Sequence, residues 1–174
     1  MSTERKKHFI EELKKILSER ISSARESEVS AATLTEDVRS EARNREDAKA
    51  GLESGRMAIA HGQRREQAKQ EADALLAFAR KGLPAFNRKT PIAVGAMVDV
   101  QVEEVETGET QERSFFLLPV GAGADLEGPG GDGFLSVITP ESPVGRALVG
   151  TRVGDSIETA FGGVEREWTV TFVS

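Results

Sequence analysis

Apolar residues in the first eighty positions recur at steps of three and four. Such spacing places them along one stripe of a helix, so the pattern predicts two long helices folded back on each other as an antiparallel coiled coil. In the first helix the stripe consists of Phe9, Ile10, Leu13, Ile16, Leu17, Ile21, Ala24, Ala31, Leu34 and Val38. In the second helix it consists of Leu52, Met57, Ile59, Ala60, Ala68, Ala72, Leu75, Leu76 and Phe78.

The position of the turn follows from the lengths of the two predicted helices, which form the arms of the hairpin. Equal arms across residues 3–82 place it near residues 42–44, where Asn44 is suited to cap the second helix. Two other breaks stay open, at Thr33–Thr35 and at Gly51. Because an α-helix rises about 1.5 Å per residue, arms of about 40 residues would form a finger roughly 60 Å long.

Beyond residue 82 the chain becomes rich in glycine and proline, and apolar and polar residues alternate in short runs. Alternation predicts half-buried strands, with Trp168 packed in the core of the last one. The glycine-rich stretch Gly121–Gly133 is expected to be a long flexible loop. The predicted elements are strands Met97–Glu104, Arg113–Val120, Phe134–Ile138, Ser156–Phe161 and Arg166–Val173, with a short helix at Val144–Val149.

Together these patterns predict an α+β fold. Residues 1–82 form the antiparallel coiled-coil finger, residues 83–95 a linker, and residues 96–174 an antiparallel β domain with a short helix. The proline- and glycine-poor composition of the first part and the opposite composition of the last part define these boundaries.

Charge and composition exclude several classes of function. The net charge of −6 disfavours nucleic-acid binding, which needs a basic surface, and the lack of cysteine excludes disulfides and thiolate metal sites. The amino terminus has no apolar signal segment, and no run reaches the ~20 apolar residues of a membrane span. We therefore expect a cytoplasmic protein without a membrane partner or sequence-specific nucleic-acid partner.

The run Ser-Pro-Val-Gly-Arg-Ala-Leu-Val-Gly-Thr-Arg-Val-Gly-Asp, residues 142–155, resembles the signature of the carboxy-terminal domain of the Gre family of bacterial transcription factors. Val144 stands where that family usually has leucine, and Thr151 where it usually has lysine. The resemblance implies that this motif docks the protein on RNA polymerase. The implied polymerase-binding residues are Ser142, Pro143, Gly145, Arg146, Gly150 and Asp155.

Three further stretches extend the resemblance. Phe115–Gly123 and Val137–Pro140 are similar to the Gre-like subgroup related to the regulator of nucleoside diphosphate kinase, and Ala60–Arg65 is similar to that subgroup's second finger helix. The resemblance implies an FKBP-like β domain and a monomer that binds bacterial RNA polymerase and inserts its finger through the secondary channel. It also implies an accessory factor with no catalysis and no cofactor of its own.

At the finger tip the resemblance implies carboxylates that reach the polymerase active site. Cleavage-stimulating members carry a pattern like Gly-Asp-Leu-Lys-Glu-Asn, whereas Ser40–Lys49 reads Ser-Glu-Ala-Arg-Asn-Arg-Glu-Asp-Ala-Lys. The candidates are Glu41, Glu46 and Asp47, which would share the polymerase's Mg²⁺ through hard oxygen atoms and stimulate cleavage of backtracked transcripts. The interspersed arginines lower the negative potential, so modulation or inhibition of catalysis is the other outcome. A solvated, salt-bridged helix surface would explain the same charges without any function.

Two other functions stay open. A coiled-coil dimer or scaffold whose β domain binds a protein partner would also use long helical arms, and an obligate dimer in solution would favour it over the monomeric finger. Prolyl isomerase activity, suggested by the FKBP-like resemblance, needs an aromatic-lined pocket. A chain without tyrosine and with a single tryptophan is poorly equipped to form one.

Overall fold

The computed structural model describes residues 2–41, 45–161 and 164–174. It has the expected α+β architecture, with two long helices followed by a β domain that contains a short helix. Among the described residues, no helix is both long and apolar enough to cross a membrane. The elements are α1 (Ser2–Glu41), α2 (Arg45–Arg80), β1 (Met97–Glu104), β2 (Thr110–Leu117), β3 (Asp125–Glu127), β4 (Phe134–Ile138), α3 (Pro143–Leu148), β5 (Ser156–Phe161) and β6 (Val164–Val173).

Cross-helix contacts show that α1 and α2 lie side by side and antiparallel. The guanidinium of Arg65 on α2 forms a 3.0 Å ion pair with the carboxylate of Glu28 on α1. Farther along, Gly55 of α2 lies opposite the side chain of Thr35 of α1. Since the partner number falls on α2 as it rises on α1, the two helices form a hairpin.

The hairpin turn was expected near residues 42–44, with Asn44 as a cap, and both features lie outside the described residues. The alternative breaks at Thr33–Thr35 and Gly51 are wrong, because both positions lie inside helices. The hydroxyls of Thr33 and Thr35 donate hydrogen bonds to backbone carbonyls four residues earlier, at 3.0 and 2.8 Å. This back-bonding accommodates the two threonines within α1.

The apolar stripe is only partly buried between the helices. Four of its members are between 56 % and 66 % exposed, so their expected place in the seam is wrong. The exposed members are Leu34, Leu52, Met57 and Ile59, and the buried ones include Phe9, Leu13, Leu17, Ala31, Ala68 and Leu75.

Packing divides the chain into two compact units. Lys14–Asp73 forms one unit, and Met1–Leu13 with Ala74–Ser174 forms the other. Within this second unit the ring of Phe9 packs edge-on against that of Phe116, with 6.3 Å between centroids. The first turns of α1 therefore belong to the packing of the β domain. The boundaries 1–82, 83–95 and 96–174, which rest on composition, stay a prediction.

The six strands form one sheet in the order β3-β4-β2-β1-β6-β5. All neighbours are antiparallel except β2 and β4, which run parallel. Strand β3 lies within Gly121–Gly133, so the prediction of one uninterrupted loop is wrong there. Leu126 is the reason, because this single large apolar side chain of the stretch is buried where β3 pairs with β4.

The two faces of the sheet differ sharply. One face carries the hydrophobic core, where Trp168 stacks on Phe115 with 5.8 Å between ring centroids, as expected from its strand position. The opposite side, called here the second face, includes Met97, Asp99, Gln101 and Glu103 of β1, Glu112, Ser114 and Phe116 of β2, Glu167 and Thr169 of β6, and Glu158 of β5. Phe9 of α1 covers its Phe116 end, whereas Gln101, Glu103 and Glu167 are exposed.

Candidate functional site

The motif at residues 142–155 begins with the N-cap of α3. Ser142 has an extended backbone conformation, and its Oγ accepts a hydrogen bond from the amide of Gly145 at 3.0 Å. The same hydroxyl donates to the carbonyl of Thr139 at 2.7 Å. Pro143 follows as the first helical residue, where its missing N–H and fixed φ suit the helix. Ser142 and Pro143 therefore fix where α3 begins.

Two glycines of the motif are required by space and by backbone conformation. A Cβ at Gly145 would collide with the carbonyl oxygen of Thr139. Gly150 has a φ of +87°, a conformation that side chains disfavour, and its amide donates to the carbonyl of Ile92 at 2.9 Å. The amide of Ile92 donates in return to the carbonyl of Thr151 at 2.8 Å. This pair ties the end of α3 to the segment before β1.

Asp155 closes the turn before β5. Its carboxylate accepts a hydrogen bond from the backbone amide of Arg152 at 2.8 Å. The guanidinium of Arg152 then reaches the carbonyl of Lys89 at 3.2 Å. Asp155 therefore orders the motif and holds it against residues at the start of the domain.

A small exposed surface lies on α3 and the residue that follows it. Pro143 and Arg146 are exposed, and Arg146 forms no ion pair with any residue in the described part of the chain. Val149, at the end of the helix, is 44 % exposed. Val149 was not among the polymerase-binding residues predicted from the sequence. The sequence marks it only as an apolar residue between a helix and a glycine. The three residues together are called the α3 surface.

A buried lysine connects α1 to the same packing unit. Lys6 is 2 % exposed, and its Nζ donates a hydrogen bond to the carbonyl of Pro84 at 2.9 Å. The ammonium also lies 4.9 Å from the ring centroid of Phe86, within range of a cation–π contact. Burial lowers the pKa of Lys6 to about 8, because desolvation disfavours its charged form.

The structure describes only some of the candidate carboxylates at the finger tip. Glu41 ends α1 and Asp47 lies in the first turn of α2, but their side chains lie outside the described part of the chain. Glu46, the second residue of α2, is exposed. Within the described ranges, no group of three or more His, Cys, Asp or Glu side chains is placed to hold a metal ion. That the three carboxylates form a site therefore stays a prediction.

Comparison with known proteins identifies the domain that carries the motif. Residues 89–174 match the family described as transcription elongation factor, GreA/GreB, C-term. These residues include the whole motif, whose capping and glycine geometry is intact. Residues 89–174 are therefore a domain of the GreA/GreB carboxy-terminal family.

Relatives with known names match part of the chain. Two transcription elongation factors GreA, from Streptococcus suis strains 05ZYH33 and 98HAH33, are each 38% identical over 76 residues. Those residues cover 42% of this chain and 40% of each relative, so the chain spans about two fifths of the GreA proteins it matches.

Solved structures of similar proteins also exist. The GreA factor homolog 1 (Gfh1) of Thermus thermophilus is 22% identical, with 92% of this chain and 94% of that one covered and a TM-score of 0.34. Thermus aquaticus Gfh1 is 20% identical over 91% and 92%, with a TM-score of 0.33. At such TM-scores the likeness carries no inference about this chain. The Gre assignment therefore rests on residues 89–174, and the tip residues lie outside that match.

Proposed function

We propose that this Gre-family chain is a transcription elongation regulator that binds bacterial RNA polymerase and acts on its catalysis through the end of its helical hairpin. The observation that carries the proposal is the match of residues 89–174 to the GreA/GreB carboxy-terminal domain. The GreA relatives, which are named transcription elongation factors, support it.

Docking is assigned in this proposal to the α3 surface. Four of the predicted docking residues have structural roles in capping, close packing and turn formation: Ser142, Gly145, Gly150 and Asp155. Their contribution to docking is therefore to shape the surface. Pro143, Arg146 and Val149 have exposed side chains that a partner could contact directly. An exposed arginine beside apolar side chains is typical of residues that contribute strongly to protein–protein binding.

The hairpin is assigned the role of reaching the polymerase active site through the secondary channel. A continuous helix of 40 residues, such as α1, is about 60 Å long. Glu41, Glu46 and Asp47 lie at or beside the two helix ends that bracket residues 42–44. Their carboxylates are hard oxygen donors suited to Mg²⁺, and the ion would be the one bound by the polymerase.

In this proposal the chain supplies positioning and charge, and the bond-breaking step belongs to the polymerase. A second metal ion at such a site stabilises both the attacking and the leaving oxygen of a phosphoryl transfer. Tip carboxylates that help hold that ion would stimulate cleavage of a backtracked transcript. A tip that enters the channel without holding the ion would instead obstruct or modulate catalysis.

The test is transcript cleavage in stalled, backtracked elongation complexes, measured with a polymerase-binding assay in parallel. RNA shortened only when the protein is present identifies a cleavage factor, and binding without cleavage identifies a channel-occupying regulator. The triple variant E41A/E46A/D47A should keep polymerase affinity and lose the effect on catalysis. The matched control E53A/E66A/D73A removes the same charge from exposed positions farther along α2 and should keep both. Absence of binding by the wild-type protein would contradict the proposal.

A second candidate is a dimerising coiled coil, and exposed apolar side chains on the hairpin favour it. Val29, Leu34, Leu52, Met57 and Ile59 are each more than half exposed. Such side chains either meet a partner or dimerise the hairpin. Sedimentation equilibrium decides between these outcomes, since an obligate dimer that fails to bind polymerase would support the scaffold.

A further inference from the structure

A groove lies between the first turns of α1 and the second face of the sheet. Its volume is about 790 Å³. Phe9 and Met97 line its inner part, and Phe134 and Phe172 line its rim. Phe134 is 71 % exposed and Phe172 50 % exposed, an unusual exposure for two large aromatic side chains beside one groove. The groove is therefore apolar and open to a ligand.

One polar atom in the groove lacks a partner. Ser174 lines the groove and is 8 % exposed. Its Oγ is buried and has no hydrogen-bond partner among the described residues. Buried hydroxyls are almost always hydrogen-bonded, so this one is available to a polar group that enters the groove.

The basic residues of the groove are already engaged. Arg5 forms a 3.4 Å ion pair with Asp132, and a ring nitrogen of His8 lies 3.1 Å from the carbonyl oxygen of Glu127. At the floor, the carboxylate of Asp99 accepts a hydrogen bond from the hydroxyl of Ser114 at 2.6 Å. The groove therefore offers a ligand apolar surface and an acidic floor.

Beyond Asp99 the second face becomes a row of glutamates. Glu103 on β1 lies directly opposite Glu167 on β6, which in turn lies directly opposite Glu158 on β5. All three are exposed, and none forms an ion pair with a basic residue in the described ranges. Like charges on directly opposite strand positions repel and destabilise a sheet. This face is therefore less stable alone than with a cationic partner.

The charge of the whole domain favours the same partner. Residues 89–174 hold fourteen Asp and Glu against five Lys and Arg. An acidic surface repels the phosphates of nucleic acids and attracts basic protein surfaces. From Asp99 to Glu103 the distance along β1 is about 13 Å, which an extended peptide of four or five residues spans. Lysine and arginine also have apolar stems that pack on phenyl rings while their charged ends reach carboxylates.

We propose that the groove and the adjoining glutamate row bind an extended segment of a protein partner that carries lysine or arginine next to a large apolar side chain. The apolar side chain enters the groove between Phe134 and Phe172. The basic side chains meet Asp99 and the glutamate row. This site is separate from the α3 surface and does not depend on polymerase binding.

The test selects phage-displayed random dodecapeptides on the full-length protein. The expected result is enrichment of peptides with at least two lysines or arginines beside phenylalanine, leucine, isoleucine or methionine. Amide shifts in NMR spectra of the labelled protein should then cluster at Phe134, Phe172, Asp99 and Glu103. Enrichment of neutral or acidic peptides, enrichment of none, or shifts confined to another surface would overturn the proposal.

Variants separate this site from general electrostatic attraction. The charge swap E103K/E167K should weaken the selected peptide by about tenfold or more, because it inverts the potential of the glutamate row. The control E106K/E109K makes the same charge change in the turn between β1 and β2 and should alter affinity by about twofold at most. F134S removes an exposed ring and should also weaken binding while the protein stays folded. Equal affinity of the swap and its control would contradict the assignment.

Discussion

Lys6 donates a hydrogen bond to the carbonyl of Pro84, a residue 78 positions later in the chain, at a distance of 2.9 Å. This bond joins the first turns of α1 to the segment that leads into the β domain. It also places an ammonium group where it is almost completely shielded from solvent. The pKa of Lys6 falls to about 8 as a result of that burial.

Stability should consequently rise as the solution becomes more alkaline. In the unfolded chain Lys6 titrates at its ordinary pKa of 10.5, and in the folded chain at about 8. Between these values the unfolded state binds more protons, so the free energy of unfolding increases with pH and the penalty of burying charge disappears. We expect a gain of at most about 3 kcal/mol, measured by urea unfolding followed through Trp168 fluorescence.

Matched lysine variants isolate this effect. Lys6→Met should remove the rise in stability with pH, and Lys7→Met, an exposed neighbour on α1, should retain it. The chain has no tyrosine or cysteine whose ionisation would add to the change. If the free energy of unfolding rose equally with pH in both variants, groups other than Lys6 would be responsible.

Gly145→Ala should destabilise the β domain. The new methyl group would collide with the carbonyl oxygen of Thr139, which the hydroxyl of Ser142 also contacts. Because backbone cannot move as easily as a side chain, we expect a loss of about 2–4 kcal/mol in the free energy of unfolding. Ala147→Gly in the same helix should cost only about 1 kcal/mol, since it changes helix propensity alone. A smaller loss in Gly145→Ala than in this control would contradict the steric explanation.

Two glycines of α2 should respond differently to alanine. At Gly55 a methyl group would make ordinary contact with Thr35, so Gly55→Ala should stabilise the hairpin by about 0.5–1 kcal/mol. At Gly62 it would come 3.0 Å from a carboxylate oxygen of Glu28, whose other oxygen pairs with Arg65. Gly62→Ala should therefore stabilise less, or destabilise. Thermal unfolding followed by far-ultraviolet circular dichroism measures the stability of both variants. Equal stabilisation of the two would show that the Glu28–Arg65 ion pair moves aside without cost.

Arg146→Glu should weaken polymerase binding without changing stability. Arg146 is exposed on α3 and forms no ion pair in the described part of the chain, so reversing its charge leaves the fold intact. We expect about tenfold lower affinity in an anisotropy titration with RNA polymerase. Arg113→Glu, at an exposed position of β2, is the control and should bind normally. Equal loss in both variants would point to overall charge rather than to the α3 surface.

The parts of the fold that the sequence predicted correctly are those with a local cause. Ser142 and Pro143 mark the start of α3 because capping and a fixed φ act within a few residues. The alternation from Met97 to Glu104 predicts β1 with its bounds unchanged. Strand β2 was placed three residues too late, since the polar run at its start, Thr110–Arg113, reads as a turn.

The features that the sequence did not reveal have distant causes. Strand β3 has one large apolar residue among glycines, and its pairing with β4 is what makes it a strand. The burial of Lys6 depends on Pro84 and Phe86, and the groove depends on Phe134 and Phe172, which lie on different strands. Tip carboxylates could be named from sequence, but a helix pattern does not fix how side chains converge beside a turn.

The order of strands in the sheet also affects how the protein is made. Strand β1 lies between β2 and β6, so one of its two neighbours is synthesised after all the other strands of this sheet. The first turns of α1, synthesised before every strand, pack in that same unit. During translation Phe9 and the unpaired edge of β1 must therefore wait until β6 has been made. This delay predicts a need for protection from aggregation while the protein is synthesised, even though the finished sheet pairs both edges of β1.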